Sequence, residues 1–180
     1  MNIVFDLSTR SVSRLMVMLV SSFLAFTALG AAHATQAVVV ALGASQTYGM
    51  GVSRTEAYPA QLEALLRAKG RDVKVINAGV SGDATAWMLN RLDSSVPQGT
   101  KVVILQPGGN DKRLHMGAER NDNVAEITSR LEARHIKVIL MENQVFKGMP
   151  RGIDGQHLTP EGYHALAMRF LPQVLSALGR

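Results

Sequence analysis

The sequence predicts an α/β fold of three layers, α/β/α, in which a parallel sheet of four to five strands lies between two layers of helices. Two observations predict it. Short runs of consecutive apolar residues recur along the chain, and a segment with helical periodicity follows each run. Continuous apolar runs are typical of strands buried on both faces, and strands that alternate with helices form parallel sheets.

Four apolar runs predict four strands. They are residues 37–42 (AVVVAL), 73–76 (VKVI), 101–105 (KVVIL) and 136–141 (IKVILM). Short right-handed crossovers between them predict the strand order 2-1-3-4, which is a flavodoxin-like arrangement. In such sheets, ligands bind beyond the carboxyl ends of the strands, so the turns that follow the runs are where a site is expected.

Three of the predicted helices lie between or after these runs, at residues 56–69, 84–92 and 123–134. The first stops at Gly70, a residue that suits the position after a helix. Asp83 immediately precedes the second helix, where its carboxylate is expected to cap the first turn.

The last predicted helix begins at Pro160, which suits the first helical position because a proline there loses no hydrogen bond. Thr159 is the expected N-cap. Pro172 lies inside the same periodic segment and is expected to kink the helix.

The N-terminal residues resemble a secretory leader. Arg10 and Arg14 precede an apolar stretch over residues 15–29, and Ala-His-Ala at 32–34 is a small-x-small cleavage site. This pattern predicts a signal peptide over residues 1–34. The alternative is a retained membrane anchor, for which the apolar stretch is short.

The remaining residues, 35–180, are enough for one domain with its own core. The net charge of +5 is scattered, with local basic groupings only at 112–113 and 147–151. No aromatic residues interleave with those groupings, so no nucleic-acid partner is predicted. The absence of cysteine excludes disulfides, thiolate catalysis and cysteine-based zinc sites.

Three short motifs carry the candidate chemistry. They are Gly-Ala-Ser at 43–45, Gly-Gly-Asn-Asp at 108–111, and Asp-Gly-Gln-His at 154–157. A serine, an amide donor, and a carboxylate three residues from an imidazole are the groups that acyl transfer needs. A carboxylate at that spacing can accept the Nδ1 proton and leave Nε2 to face a nucleophile.

Each motif also has a purely structural explanation. Glycine, serine and asparagine are common in turns, and an aspartate and a histidine before a helix can be surface residues. The usual G-x-S-x-G elbow is absent, since Thr47 replaces the second glycine. All three motifs nevertheless occur in order at predicted strand ends or before the final helix, which makes chance assembly a poor explanation.

With these motifs the chain resembles the SGNH (GDSL-like) hydrolase superfamily, and within it the small exported esterases of the thioesterase I and lysophospholipase L1 type. The resemblance covers most of residues 36–171. The matching blocks are residues 41–47 (ALGASQT), 77–83 (NAGVSGD), 108–111 (GGND) and 154–158 (DGQHL).

The resemblance implies a role for each candidate site residue. Ser45 is the nucleophile, and His157 is the base, oriented by Asp154. The oxyanion hole comprises the backbone N–H groups of Ser45 and Gly82 and the side-chain amide of Asn110. A glycine suits its place because no Cβ blocks the approach of substrate to its N–H group. The resemblance implies neither a cofactor nor a metal.

The chain departs from the family pattern in two places. Ala44 stands where an aspartate is usual and Gln46 where a leucine is usual, so ordering of the serine turn by that carboxylate is expected to be lost. Only residues 143–153 separate the fourth strand region from Asp154. We therefore expect this short loop to return His157 to Ser45 unaided and to leave one wall of an acyl pocket missing.

The sequence thus predicts a periplasmic or secreted serine esterase that hydrolyses small-molecule carboxylic esters or thioesters, with short acyl chains, and has no membrane span in the mature chain. One alternative is an esterase that removes O-acetyl groups from a cell-wall carbohydrate. Another, suggested by Ala44 and the short loop, is a non-catalytic binding module. Met50, Met88, Met116 and Met149 are candidates for an apolar groove. Trp87 is expected to anchor its helix in the core, and the alternative is that it flanks the site. The oligomeric state stays open.

Overall fold

The computed structural model describes residues 36–179, and the predicted leader at 1–34 lies outside them. The elements, in chain order, are β1 (Ala37–Gly43), α1 (Ser45–Tyr48), α2 (Tyr58–Ala68), β2 (Val73–Gly79), α3 (Thr85–Asn90), α4 (Leu92–Ser95), β3 (Thr100–Gln106), α5 (Asn110–Arg113), α6 (Arg120–Ala133), β4 (Lys137–Leu140) and α7 (Pro160–Leu178). Short 3₁₀ turns occur at Gly117–Glu119 and Asn143–Phe146.

The sheet has four parallel strands in the order β2-β1-β3-β4, as predicted. Gly43 pairs with Gly79 on one side and with Gln106 on the other. The carboxyl ends of the three neighbouring strands are therefore level, and the turns that follow them open onto one edge of the sheet. This alignment brings together the residues that follow β1, β2 and β3, which belong to the blocks at 41–47, 77–83 and 108–111.

Each face of the sheet has its own hydrophobic core. The side chains of β1 alternate between them, with Val39 and Ala41 in one core and Val40 and Leu42 in the other. Helices α2 and α7 cover the first face, and α3 and α6 cover the second. The three-layer arrangement follows from this burial on both faces.

The strand β4 is the exception to burial on both faces. It has only four residues, and Lys137 and Leu140 are exposed. No further strand follows it within residues 36–179. The sheet there has four strands, which is the lower end of the predicted range of four to five.

The helix ends agree with the sequence in two places and differ in a third. Thr159 caps α7 and accepts a hydrogen bond from Gly162 N–H, and Gly70 follows α2 with a positive φ. Asp83, however, is not a cap. Its carboxylate pairs with Arg91 at 2.7 Å, and the N–H at the start of α3 is satisfied elsewhere. Burial raises the pKa of Asp83 despite this ion pair.

Two further expectations concern the helices, and the kink expected at Pro172 stays a prediction. The helix α7 continues through Pro172 to Leu178 as a single element. The expected core position of Trp87 is wrong, because its side chain is 45% exposed and the next residue, Met88, is fully buried instead. Within residues 36–179, no helix combines the length and the apolar character that crossing a membrane requires.

Candidate active site

Ser45 is the first residue of α1 and follows β1 after the single buried residue Ala44. The N–H groups in the first turn of a helix have no partner within the helix. The backbone N–H of Ser45 also donates no hydrogen bond to any other part of residues 36–179. A substrate oxygen beside the Ser45 side chain could therefore accept from it.

The turn around Ser45 is held by Gln106, the last residue of β3. Its side-chain Oε1 accepts hydrogen bonds from Ala44 N–H at 2.9 Å, from Thr47 N–H at 3.3 Å and from the Thr47 hydroxyl at 3.0 Å. Gln106 is almost fully buried. Ala44 supplies no carboxylate to order the turn, and a neutral amide from the neighbouring strand holds it instead.

Gly82 lies in the turn after β2 with φ +83, a conformation that favours glycine. Its N–H makes no hydrogen bond within the described part of the chain. A Cβ built at this position would meet only the Arg113 side chain, at 3.9 Å, so the space in front of the turn is open. Gly82 is thus a free backbone donor at the sheet edge where Ser45 lies.

Asn110 begins α5 and faces the same turn. Its Nδ2 donates to the carbonyl oxygen of Asp83 at 2.8 Å, which places the amide beside Gly82. Its Oδ1 accepts from Arg113 Nη2 at 3.2 Å. Because a guanidinium only donates, Arg113 fixes the orientation of the amide, and the second Nδ2 hydrogen stays available.

Asp111 joins this corner to α3. It is fully buried, and its Oδ1 accepts from Thr85 N–H at 3.1 Å and from the Thr85 hydroxyl. Asp111 thus accepts the hydrogen bond from the first turn of α3 that the sequence predicted for Asp83. The helix that carries Asn110 is therefore fixed against the helix that follows the Gly82 turn.

Asp154 and His157 lie in the loop before α7. His157 Nδ1 and Asp154 Oδ2 are 2.5 Å apart, and Asp154 Oδ1 accepts from the N–H groups of Gln156 and His157, both at 2.9 Å. The bond from the imidazole, together with these two, lowers the pKa of Asp154 to about 2. The carboxylate therefore stays ionised while it orients the ring.

The imidazole presents a buried nitrogen that has no partner. His157 Nε2 is inaccessible to solvent and makes no hydrogen bond within residues 36–179, and no hydrogen bond joins it to Ser45. The structure thus forms the predicted pair of Asp154 and His157 but not a closed triad. Catalytic hydrogen bonds are often long before substrate binds, so this geometry leaves the assignment as a prediction.

The loop of His157 is tied to the serine helix by Gln46, which sequence reasoning treated only as a departure. Gln46 Nε2 donates to the carbonyl oxygen of Gln156 at 2.9 Å, and Gln46 Oε1 accepts from the Tyr163 hydroxyl at 3.2 Å. Tyr163 is fully buried, and its single hydroxyl proton lies between Gln46 Oε1 and Met50 O, the latter at 3.1 Å. We expected the loop to return His157 to Ser45 unaided, and this is wrong, because Gln46 holds the loop against the serine helix.

A pocket of about 300 Å³ opens beside Ser45. Most of its walls are polar, and the residues that line it are Ala44, Ser45, Gln46, Gln106, Gly108, Gly109, Asn110, Arg113, Asn143, Phe146, Arg151 and Gln156. None of the four candidate methionines lines it, and Met88 and Met149 are buried in the two cores. Among residues 36–179, no cluster of three His, Cys, Asp or Glu side chains is placed to hold a metal ion.

The fold defines an α/β class of hydrolases, and the candidate nucleophile Ser45 lies at the end of the first strand. The chain belongs to the GDSL-like lipase/acylhydrolase family, whose sequence profile matches residues 41–169. It is 31% identical over 130 residues to esterase TesA of Pseudomonas aeruginosa, a match that covers 71% of this chain and 64% of that one. It is 30% identical over 132 residues to an arylesterase of Vibrio mimicus, covering 72% of this chain and 66% of that one.

Solved structures show the same fold. A crystal structure of TesA aligns with a TM-score of 0.69 at 22% identity, over 78% of this chain and 99% of that chain. AlinE4, an SGNH-hydrolase family esterase, aligns with a TM-score of 0.54 at 31% identity, over 77% and 72%. The chain spans just under two thirds of the length of the two curated relatives that it matches.

Proposed function

We propose that this protein is a serine esterase that hydrolyses carboxylic esters or thioesters through an acyl-enzyme. The single observation that supports this most strongly is the Asp154–His157 hydrogen bond, which leaves His157 Nε2 without a partner in a loop tied to the serine helix. An imidazole held in that tautomer accepts a proton at Nε2. The names of the relatives, an esterase and an arylesterase, agree with this chemistry.

In the proposed reaction, the Ser45 hydroxyl attacks the carbonyl carbon while His157 Nε2 takes its proton. The carbonyl oxygen becomes an oxyanion that accepts hydrogen bonds from Ser45 N–H, Gly82 N–H and Asn110 Nδ2. Collapse of this intermediate breaks the bond to the alcohol or thiol, which receives the proton from His157. Water then repeats the sequence on the acyl-serine and releases the acid.

The substrates that we propose are small esters with short acyl chains. The pocket beside Ser45 is small and polar, and Phe146 is the only large apolar residue among those that line it. We further propose that the protein acts in the periplasm or outside the cell, on the strength of the leader-like residues 1–34. Removal of O-acetyl groups from carbohydrates and a non-catalytic role are less well supported, since the chain resembles named esterases and carries every residue of the candidate site.

Replacing the two proton-transfer partners tests the proposal. Ser45→Ala and His157→Ala should each lower kcat/KM for an aryl acetate by at least about a thousandfold, because neither group works without the other. Circular dichroism and thermal unfolding would show that both variants remain folded. Ser129→Ala, at an exposed serine on α6, is the matched control and should retain full activity.

A second measurement identifies the nucleophile directly. An organofluorophosphonate should add once to the wild-type protein, and peptide mass mapping should place the adduct on Ser45. Full activity in Ser45→Ala, or an adduct on another residue, would overturn the assignment.

A further inference from the structure

Two arginine residues line the pocket beside Ser45, and in the proposed esterase mechanism neither contacts the substrate. Arg113 reaches it from the end of α5 and Arg151 from the loop before Asp154. They belong to the two local basic groupings in the sequence. A pair of guanidinium groups at a small polar pocket is a feature that hydrolysis of a neutral ester does not require.

Neither arginine is neutralised within the described part of the chain. Arg113 donates to the amide oxygen of Asn110, and Arg151 donates to the backbone carbonyl of Gln156. Both acceptors are uncharged, and neither arginine forms an ion pair with a carboxylate of residues 36–179. The pocket therefore holds two positive charges that attract an anion.

The acidic groups near the pocket reduce this positive charge, but none of them forms an ion pair with either arginine. No aspartate or glutamate lines the pocket. Asp154, on the loop of Arg151, is paired with His157 through Oδ2 and accepts two backbone N–H groups through Oδ1. Asp83 is paired with Arg91, and Asp111 accepts a hydrogen bond from Thr85 N–H.

We propose that the preferred substrates are esters that carry a carboxylate or phosphate group, which binds Arg113 and Arg151 while the ester carbonyl lies at Ser45. This inference rests on the proposed esterase function and adds to it the class of substrate. Guanidinium groups bind both anions through charge-assisted hydrogen bonds. Such bonds compensate for the scarcity of apolar surface in the pocket.

Matched pairs of esters test the preference, with the charge placed on either side of the bond. On the alcohol side, 4-carboxyphenyl acetate is compared with its uncharged carboxamide. On the acyl side, the 4-nitrophenyl monoester of adipic acid is compared with the corresponding monoamide. The readout is the ratio of kcat/KM for the anionic ester to that for the neutral one, in which any general effect on catalysis cancels.

In the wild-type protein, we expect this ratio to be about tenfold or more for at least one pair, and to decline as ionic strength rises. Arg113→Gln and Arg151→Gln should each lower the ratio several-fold, and the double variant should bring it close to one. Arg71→Gln is the matched control, because Arg71 also donates to a backbone carbonyl, that of Gly179, but precedes β2 at the opposite edge of the sheet. It should leave the ratio unchanged.

Binding of the phenol products separates this inference from the esterase proposal. The wild-type protein should bind 4-hydroxybenzoate more tightly than 4-hydroxybenzamide by calorimetry, Arg151→Gln should reduce the difference, and the Arg113→Gln, Arg151→Gln double variant should remove it. If the neutral esters are hydrolysed but both the kinetic ratio and the affinity ratio are near one, the anion preference is wrong and the esterase stands. If no ester is hydrolysed but the carboxylate still binds through Arg151, the esterase proposal fails and the anion site stands.

Discussion

Gln46 replaces the leucine that is usual at this position in the family, and its side chain makes hydrogen bonds that a leucine cannot make. Where relatives usually carry a leucine, its amide connects the serine helix both to the Gln156 carbonyl and to the Tyr163 hydroxyl. Gln156 immediately precedes His157, so this bond fixes the distance between the two halves of the proposed catalytic machinery. We therefore predict that Gln46 is a positioning residue, which acts through Gln156 and Tyr163.

We predict that Gln46→Leu lowers kcat about tenfold or more with little change in KM, because misplacement of the base slows proton transfer rather than binding. Steady-state kinetics on an aryl acetate measures the split. The matched control is Gln61→Leu, since Gln61 also donates an amide hydrogen bond to a carbonyl near this loop, that of Pro160 at 3.1 Å. Equal losses in the two variants, or a loss confined to KM, would contradict the positioning role.

Asp154 makes stability depend on pH in a defined window. Its pKa is lowered from 3.8 to about 2, chiefly by the hydrogen bond from His157. A carboxylate whose pKa is lower in the folded state stabilises the fold above its unfolded pKa, and this contribution disappears as pH falls through the folded value. The difference in Tm between wild type and Asp154→Asn should therefore narrow from about pH 4 to pH 2. Thermal unfolding across that range measures it, and a constant difference would contradict the assignment.

At the scale of elements, close contact between β2 and α1 decides where Ser45 lies. Gly79 ends β2, and a Cβ at that position would lie 2.2 Å from Tyr48 N and 2.5 Å from Thr47 C, both backbone atoms of α1. The strand end and the serine helix can pack this closely only because residue 79 has no side chain. Backbone atoms cannot rotate away as a side chain can.

Gly79→Ala should therefore destabilise the protein by about 1–3 kcal/mol and also lower activity, since the helix that carries Ser45 must shift. Denaturant unfolding and esterase assays measure the two effects. Gly117→Ala is a suitable control, because a Cβ there would make only an ordinary contact, at 3.9 Å from Lys112 Cα, and its φ is not positive. A Gly79→Ala variant as stable as the Gly117→Ala variant would contradict the tight packing.

The sequence predicted the elements well because apolar periodicity and turn residues are local signals. All four strands, their order and the Thr159 cap agree with the structure. The start of α3 was misjudged because Asp83 has a stronger partner in Arg91, which is distant enough in sequence that spacing alone does not reveal it. Trp87 was misplaced for a related reason: helical periodicity fits more than one face when the helix is short, and Met88 occupies the buried one.

At the scale of the whole molecule, the residues that build the site come from four separate turns, and their mutual support was not visible in the sequence. Gln106 and Gln46 are polar residues at positions that motif matching counts as background or as departures. Their roles depend on contacts 59 to 62 and 110 positions away along the chain. Motif order located the candidate residues, whereas the interactions that hold them depend on the tertiary fold.

The edge of the sheet at β4 bears on the size of the substrates that we propose. The sheet ends at the half-exposed strand β4, and the short segment from Asn143 to Ile153 connects it to Asp154. This segment contributes Asn143, Phe146 and Arg151 to the pocket, two of them polar. The methionines that might have formed an apolar groove lie elsewhere, and Met88 and Met149 are buried in the cores.

We therefore predict that kcat/KM is highest for acetyl to butyryl esters and is flat or lower beyond about hexanoyl. Each methylene transferred from water to an apolar wall contributes about 0.8 kcal/mol, and a polar pocket of about 300 Å³ offers little such wall for a longer chain. A series of 4-nitrophenyl esters measures the profile, with Phe146→Ala showing how much the one large apolar residue in the pocket contributes. A steady rise in kcat/KM through dodecanoyl would mean that Met50 and Trp87, both exposed in this structure, close over long chains and form an apolar channel once substrate is bound.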